Sequence, residues 1–115
     1  MSGVPLKNTN LVYLATSKGV RCVRLNSHYG FEEIASDEQS GCDVRDLLIR
    51  VGDNEIWTAT NKGVYVFAIN SLKILKKFTK EHEVSHPMVV SLLEDKNKNI
   101  WASTYSGLTM YHPRS

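Results

Sequence analysis

The feature that most narrows what this chain can become is a glycine that returns at a fixed interval. Gly19, Gly63 and Gly107 stand 44 residues apart. Thr16, Thr60 and Thr104 keep the same interval. So do Tyr13, Trp57 and Trp101, which place an aromatic ring in every copy. Val12, Ile56 and Ile100 precede the ring, Val20, Val64 and Leu108 follow the glycine, and Asn26-Ser27 matches Asn70-Ser71. One offset accounts for all of these matches and is expected to need no gap anywhere. A period of this length marks a repeat architecture, in which each unit buries its apolar faces against its neighbours.

Each unit reads as short strands. In the second copy, Val44 to Val51, Glu55 to Thr60, Val64 to Ile69 and Leu72 to Thr79 are rich in Val, Ile, Leu, Tyr and Trp. Gly52-Asp53-Asn54, Asn61-Lys62-Gly63 and Asn70-Ser71 separate them with turn chemistry. The third copy repeats the plan with Val89 to Glu94, Ile100 to Thr104 and Leu108 to His112, and has no fourth strand. The first copy has Leu11 to Thr16, Val20 to Leu25 and Phe31 to Ala35. Met1 to Lys7 falls where its opening strand belongs, but Pro5 lacks a ladder donor and makes a poor inner strand. No stretch has the i, i+3, i+4 spacing of a buried helix face. Four short antiparallel strands per repeat match one propeller blade. The expected fold is therefore all-β, a β-propeller fragment of about 2.6 four-stranded antiparallel blades with a 44-residue repeat. Blade one spans about 1–43, blade two about 44–87 and blade three about 88–115.

Composition excludes several partners. The net charge is +2, with 14 basic against 12 acidic residues, and gives no clustered basic face for nucleic acid. Lys73, Lys76, Lys77 and Lys80 alternate with Ile74, Leu75 and Phe78, as on the solvated side of an edge strand. No run of 18 apolar residues is present, so no membrane span or membrane contact is expected of this segment. Met1 to Asn10 lacks the basic start and apolar centre of a leader peptide. Cys22 and Cys42 lie far apart without metal spacing and read as small buried residues, with their pairing left open.

Two segments carry a family resemblance. Val90-Ser-Leu-Leu-Glu-Asp-Lys-Asn-Lys-Asn-Ile-Trp-Ala-Ser-Thr-Tyr-Ser-Gly-Leu and Asp53-Asn-Glu-Ile-Trp-Thr-Ala-Thr-Asn-Lys-Gly-Val share one pattern. An Asp-containing turn leads into Ile-Trp, then small residues and Thr, then a Gly turn. This resembles the two-component regulator propeller repeat. The first copy departs from the pattern, with Tyr13 for Trp and no upstream Asp turn. WD-repeat proteins fit less well, because Thr58 and Ala102 follow the tryptophans where Asp would stand. The resemblance implies the periplasmic, ligand-sensing input region of a bacterial hybrid two-component histidine kinase. Regions of this kind often respond to sugars or oligosaccharides.

The repeated residues are expected to be structural: Tyr13, Trp57 and Trp101 as packing between blades, the three threonines as strand-end hydrogen bonders, the three glycines as turns. Positions that break the repeat are better binding candidates. His82 and His86 fall in the connection between blades, with Lys80, Glu81 and Glu83 beside them; Asp37, Glu38, Gln39 and Asp43 occupy the preceding connection. Lys18, Lys62 and Tyr105 sit in the turns between second and third strands. The resemblance implies that these loops and turns line one face. His82 and His86 would suit zinc only on a helix, and a loop is expected. The pattern offers no catalytic residue, metal site or cofactor.

The expected function is a non-catalytic sensing or scaffold segment. A fragment of a propeller lyase or glycosidase, or a purely structural interaction platform, stay open as alternatives. Blades bury their faces on other blades, so the end sheets require partners: further blades of a parent chain, or copies of the same chain joined head to tail.

Overall fold

The computed structural model describes residues 2–7, 9–28 and 30–113. Among them, strands β1 (Ser2–Pro5), β2 (Leu11–Thr16), β3 (Gly19–Leu25) and β4 (Phe31–Ser36) form one antiparallel sheet in chain order. A second sheet contains β5 (Val44–Arg50), β6 (Glu55–Thr60), β7 (Gly63–Ala68) and β8 (Ile74–Phe78). The third contains β9 (Val89–Glu94), β10 (Ile100–Thr104) and β11 (Gly107–Tyr111). The fold is all-β, with one short 3-10 turn at Val51–Asp53.

The sheets stack, and the burial of each strand reports its place in the stack. Successive side chains of a strand point to opposite faces. A sheet covered on one side therefore buries alternate residues, and a sheet covered on both sides buries all of them. β2, in an end sheet, buries Tyr13 and Ala15 while Val12 and Leu14 remain half-exposed. β6, in the middle, buries Ile56 through Thr60 without a break. The first seam holds Tyr13, Ala15, Val20 and Cys22 against Leu47, Ile56, Tyr65 and Phe67. The second holds Trp57, Ala59, Val64 and Val66 against Val89, Ile100 and Ala102. Each sheet thus has a leading face, turned to the next repeat, and a trailing face.

Polar contacts fix the seams. The Tyr13 hydroxyl donates to the Ile69 carbonyl at 3.1 Å. The Asp46 carboxylate accepts from the Leu92 backbone N–H at 2.8 Å. Arg50, 5% exposed, donates from Nε to Glu94 across the second seam at 2.8 Å. Within its own sheet Arg50 meets Asp53 at 2.8 Å and Glu55 at 3.7 Å.

The structure corrects the sequence reading at four places. The 44-residue offset does not hold in the opening strand. Leu48 lies opposite Trp57, whereas Leu93 lies opposite Trp101, an offset of 45. The extra residue lies before β9, and the turn after it is one residue shorter: five residues, 95–99, separate the paired Glu94 and Ile100, against six, 50–55, between the paired Ile49 and Ile56. Pro5 does belong to the inner strand, paired with Val12. The innermost strand of a sheet is also an edge strand, so the missing donor is tolerated. The fourth strand of the second sheet starts at Ile74, because Leu72 takes a left-handed φ of 56° and turns its side chain into the core. Val51 leaves the strand for the 3-10 turn.

Candidate functional site

The strand-two to strand-three turns are built alike. Thr16, Thr60 and Thr104 donate their hydroxyls to the carbonyls of Gly19, Gly63 and Gly107 at 2.7, 2.8 and 3.0 Å. The same oxygens accept from the backbone N–H of Lys18, Lys62 and Ser106 at 3.1, 3.0 and 3.2 Å. The glycines hold φ of +109°, +115° and +139°, a region that side chains disfavour. Each threonine hydroxyl is thus engaged within its turn.

The connections between sheets lie over the next hairpin. In the first, Asp37 is buried and accepts from the backbone N–H of Gln39 and Ser40 and from the Ser40 hydroxyl. Lys62 reaches this loop and donates to the Ser40 carbonyl at 3.4 Å, while Asn61 accepts from the Asp43 N–H at 3.0 Å. In the second connection, 79–88, Glu83 folds back to accept from the backbone N–H groups of Lys80 and Thr79. The Lys80 bond is the largest influence holding this carboxyl below its usual range. The Tyr111 hydroxyl donates to the Glu83 carbonyl at 2.6 Å; burial, then the Glu83 charge, pushes this phenol upward.

Ser85 ties the second loop to the hairpin beneath it. Its N–H donates to the Thr109 hydroxyl at 2.9 Å, and its own hydroxyl lies 2.7 Å from that of Thr104. Ser106 donates to its carbonyl at 2.7 Å. His86 accepts from the Met88 N–H through Nδ1 at 3.0 Å, which leaves Nε2 to carry the ring proton. Its ring lies 5.6 Å from that of Tyr105, which is 64% exposed. Thr79, Glu81, Val84, Ser85, His86 and Pro87 line a hollow of about 500 Å³.

The structure therefore brings His86 and Tyr105 together, and sets Lys62 at the repeat position of Ser106, each donating to a serine carbonyl of the loop above it, Ser40 and Ser85. His82 lies exposed in the turn at 81–83, and Lys18 lines a separate hollow behind the first sheet. Ser85 and Thr109 were not singled out from the sequence. Thr109 replaces Tyr65 and Arg21 at its repeat position, and that break was the available signal. A ring edge, hydroxyls and one carboxylate suit a polar, uncharged or cationic ligand. The Ser85 hydroxyl faces threonine hydroxyls rather than a base, so it is not set up as a nucleophile. Among the described residues, no three His, Cys, Asp or Glu side chains are grouped to hold a metal. Both cysteines are buried free thiols.

Residues 83–106 match the family model described as two component regulator propeller. The matched segment runs from the second connection through β9 and β10 into the Tyr105-Ser106 turn. The chain as a whole is similar in structure to the extracellular domain of a hybrid two component system of B. thetaiotaomicron, with a TM-score of 0.68 and 22% identity. That similarity covers 94% of this chain and 15% of the other, so the chain spans a small part of that domain's length. No curated protein sequence matches the chain. The matched segment holds Val89, Ile100 and Ala102 of the second seam and both His86 and Tyr105. No helix is long and apolar enough to cross a membrane among the described residues.

Proposed function

We propose that this chain is a non-catalytic sensing segment of the extracytoplasmic, propeller-type input region of a two-component sensor. Its ligand is carried on the face made by the sheet connections and the strand-two to strand-three turns. The observation that carries this reading is the hollow of the 79–88 loop, lined by Glu81, Ser85 and His86, with the exposed Tyr105 ring tilted 5.6 Å from the His86 ring at its side. An exposed ring offers an apolar platform to a sugar face, and the flanking polar groups take up hydroxyls. A neutral oligosaccharide is the ligand class that fits. The likeness to an extracellular domain of a hybrid two component system supports the extracytoplasmic placement and the sensing role.

Titration calorimetry with cello-, xylo- and manno-oligosaccharides tests the reading. Saturable heat with one of them, reduced at least tenfold in affinity by Tyr105→Ala or His86→Ala, is expected. Absence of heat with all three contradicts the carbohydrate assignment. Release of shortened products during the same incubations would instead favour the propeller-enzyme reading.

A further inference from the structure

We propose that His86 is a proton-operated latch on the candidate ligand face. With its ring neutral it holds Met88 and lies against Tyr105; with a second proton it lets go of Met88, turns off Tyr105, and lowers the affinity of the face. The inference rests on the reading of that face given above and names how its occupancy is regulated.

The two connections between sheets meet their hairpins differently. In the first, the junction is reciprocal. Asn61 donates its backbone N–H to the Asp43 carbonyl at 3.2 Å, and its side-chain oxygen accepts from the Asp43 N–H at 3.0 Å. In the second, Tyr105 stands at the repeat position of Asn61. Its N–H donates to the Met88 carbonyl at 3.3 Å, so the backbone half of the junction is kept. The Met88 N–H does not return to residue 105. It donates to Nδ1 of His86 at 3.0 Å. The same imidazole lies 5.6 Å from the Tyr105 ring. His86 therefore serves both the backbone of the junction and the aromatic platform beside the hollow.

This is the place where the chain uses a nitrogen acceptor for such a turn. Thr60, Asn26 and Asp37 also accept a backbone N–H from two residues on, through a hydroxyl, an amide oxygen and a carboxylate. Hydroxyl and amide oxygens accept at any pH, and a carboxyl keeps an acceptor oxygen when it is protonated. An imidazolium has two N–H donors and no acceptor. The second proton goes to Nδ1, because Nε2 already carries one. It sets Nδ1–H against the Met88 N–H, donor to donor, and the ring must turn to relieve the clash. Ser85 stays tied to the hairpin through Thr109, Thr104 and Ser106, so the change is confined to 86–88 and the Tyr105 contact. Imidazole is the side chain that makes this change in mild acid.

Few charges face the latch. Glu81 lines the same hollow. Lys80 and His82 are exposed in the same loop, and the Glu83 carboxylate is held by the Thr79 and Lys80 N–H groups. The hairpin segment 104–109 brings the Tyr105 phenol and no charged residue, and 87–93 brings none either. Lys62 of the preceding hairpin is engaged with the first connection.

NMR of the full chain between about pH 7.5 and about pH 5.5 tests the latch. The His86 ring and the Met88 amide are expected to titrate with one shared midpoint. Once the ring is charged, the Met88 amide is expected to exchange about tenfold faster or more, after correction for the intrinsic pH dependence. His86→Asn keeps an acceptor oxygen for the Met88 N–H and has no proton to gain in this range, so it is expected to abolish the response of that amide. Calorimetry with a bound oligosaccharide is expected to show affinity lower by about fivefold or more at the acid end in the unaltered chain. In His86→Asn the affinity, whatever its absolute value, is expected to be the same at both ends. A Met88 amide that ignores the His86 ring, or that responds equally in His86→Asn, overturns the latch. Equal affinity at both ends in the unaltered chain overturns its link to the ligand. Absence of binding by every oligosaccharide defeats the reading of the face instead, and the amide titration still decides the latch.

Discussion

Trp57 and Trp101 occupy one repeat position and have different surroundings. Trp57 is 1% exposed, stacked 5.6 Å from Phe78 and tilted 5.5 Å from Tyr111 of the next sheet. Trp101 is half-buried on the open face, and its indole N–H donates to Asp95 at 2.9 Å. Trp57→Ala is expected to cost about 3–5 kcal/mol in denaturant unfolding, the range for a large buried ring. Trp101→Ala is expected to cost less than half as much. The bond from Trp101, then those from the backbone of Asn99 and Asn97, hold the Asp95 carboxyl below its usual range. Acidification is therefore expected to change Trp101 emission with a midpoint below the usual carboxylate range, and Asp95→Asn to abolish that change. Arg50 carries the charge of the second seam. Arg50→Met removes the cation shared by Asp53, Glu55 and Glu94 and is expected to destabilise by about 2 kcal/mol, less than a fully buried pair because the carboxylates are partly hydrated. The aromatic at each seam was legible from its fixed interval. The Arg50–Glu94 pair was not: the two stand 44 residues apart, on the repeat interval, but a basic residue aligned with an acidic one does not reveal that they meet across a seam.

At the level of elements, the hairpin turn gives one motif three costs. A Cβ on Gly63 would run into the Phe78 carbonyl, one on Gly19 would meet the movable Asp37 carboxylate at 2.6 Å, and one on Gly107 would meet nothing. All three would also be strained by their positive φ. Alanine at these positions is expected to destabilise in the order Gly63, Gly19, Gly107. The loss should be about 1 kcal/mol at Gly107, where only backbone strain acts, and about 3 kcal/mol or more at Gly63. Equal losses at the three sites, measured by thermal unfolding, would contradict the assigned packing. The first seam has its own signature in alkali. Burial, reinforced by Cys22, pushes the Tyr13 phenol up to about 12 from its ordinary 10.0. The folded chain thus keeps this proton where the unfolded chain has lost it. Stability from Tyr13 is full below pH 10 and falls as pH rises toward about 12. Tyr13→Phe should cost about 1 kcal/mol at neutral pH and flatten the fall of the melting midpoint across that window. Strand positions were legible from the apolar runs and turn residues, to the residue for Leu11–Thr16, Glu55–Thr60, Val89–Glu94 and Ile100–Thr104. The edges slipped where a residue adopted a conformation that its type disfavours, as Leu72 does. The face formed by the loops was only partly legible. Tyr105 and His86 stood out as breaks in the repeat, but the Ser85 contacts that position them come from a loop closing on a hairpin about 20 residues away.

For the whole molecule, stability resides in two seams rather than in one centre. Each seam joins sheets that are contiguous in sequence, so contacts between neighbours are the unit of stability. The connections that hold the candidate ligand are the same segments that bridge the seams. Occupancy of the hollow beneath 79–88 would therefore bear on how the second and third sheets sit together. The central claim is that repeats two and three are separate sheets packed face to face through Trp57. Nuclear Overhauser contacts from the Trp57 indole test it most directly. The account predicts cross-peaks from that ring to both Phe78 of its own sheet and Tyr111 of the next. Cross-peaks to Phe78 with none to Tyr111, or a Trp57 indole open to solvent, would contradict it.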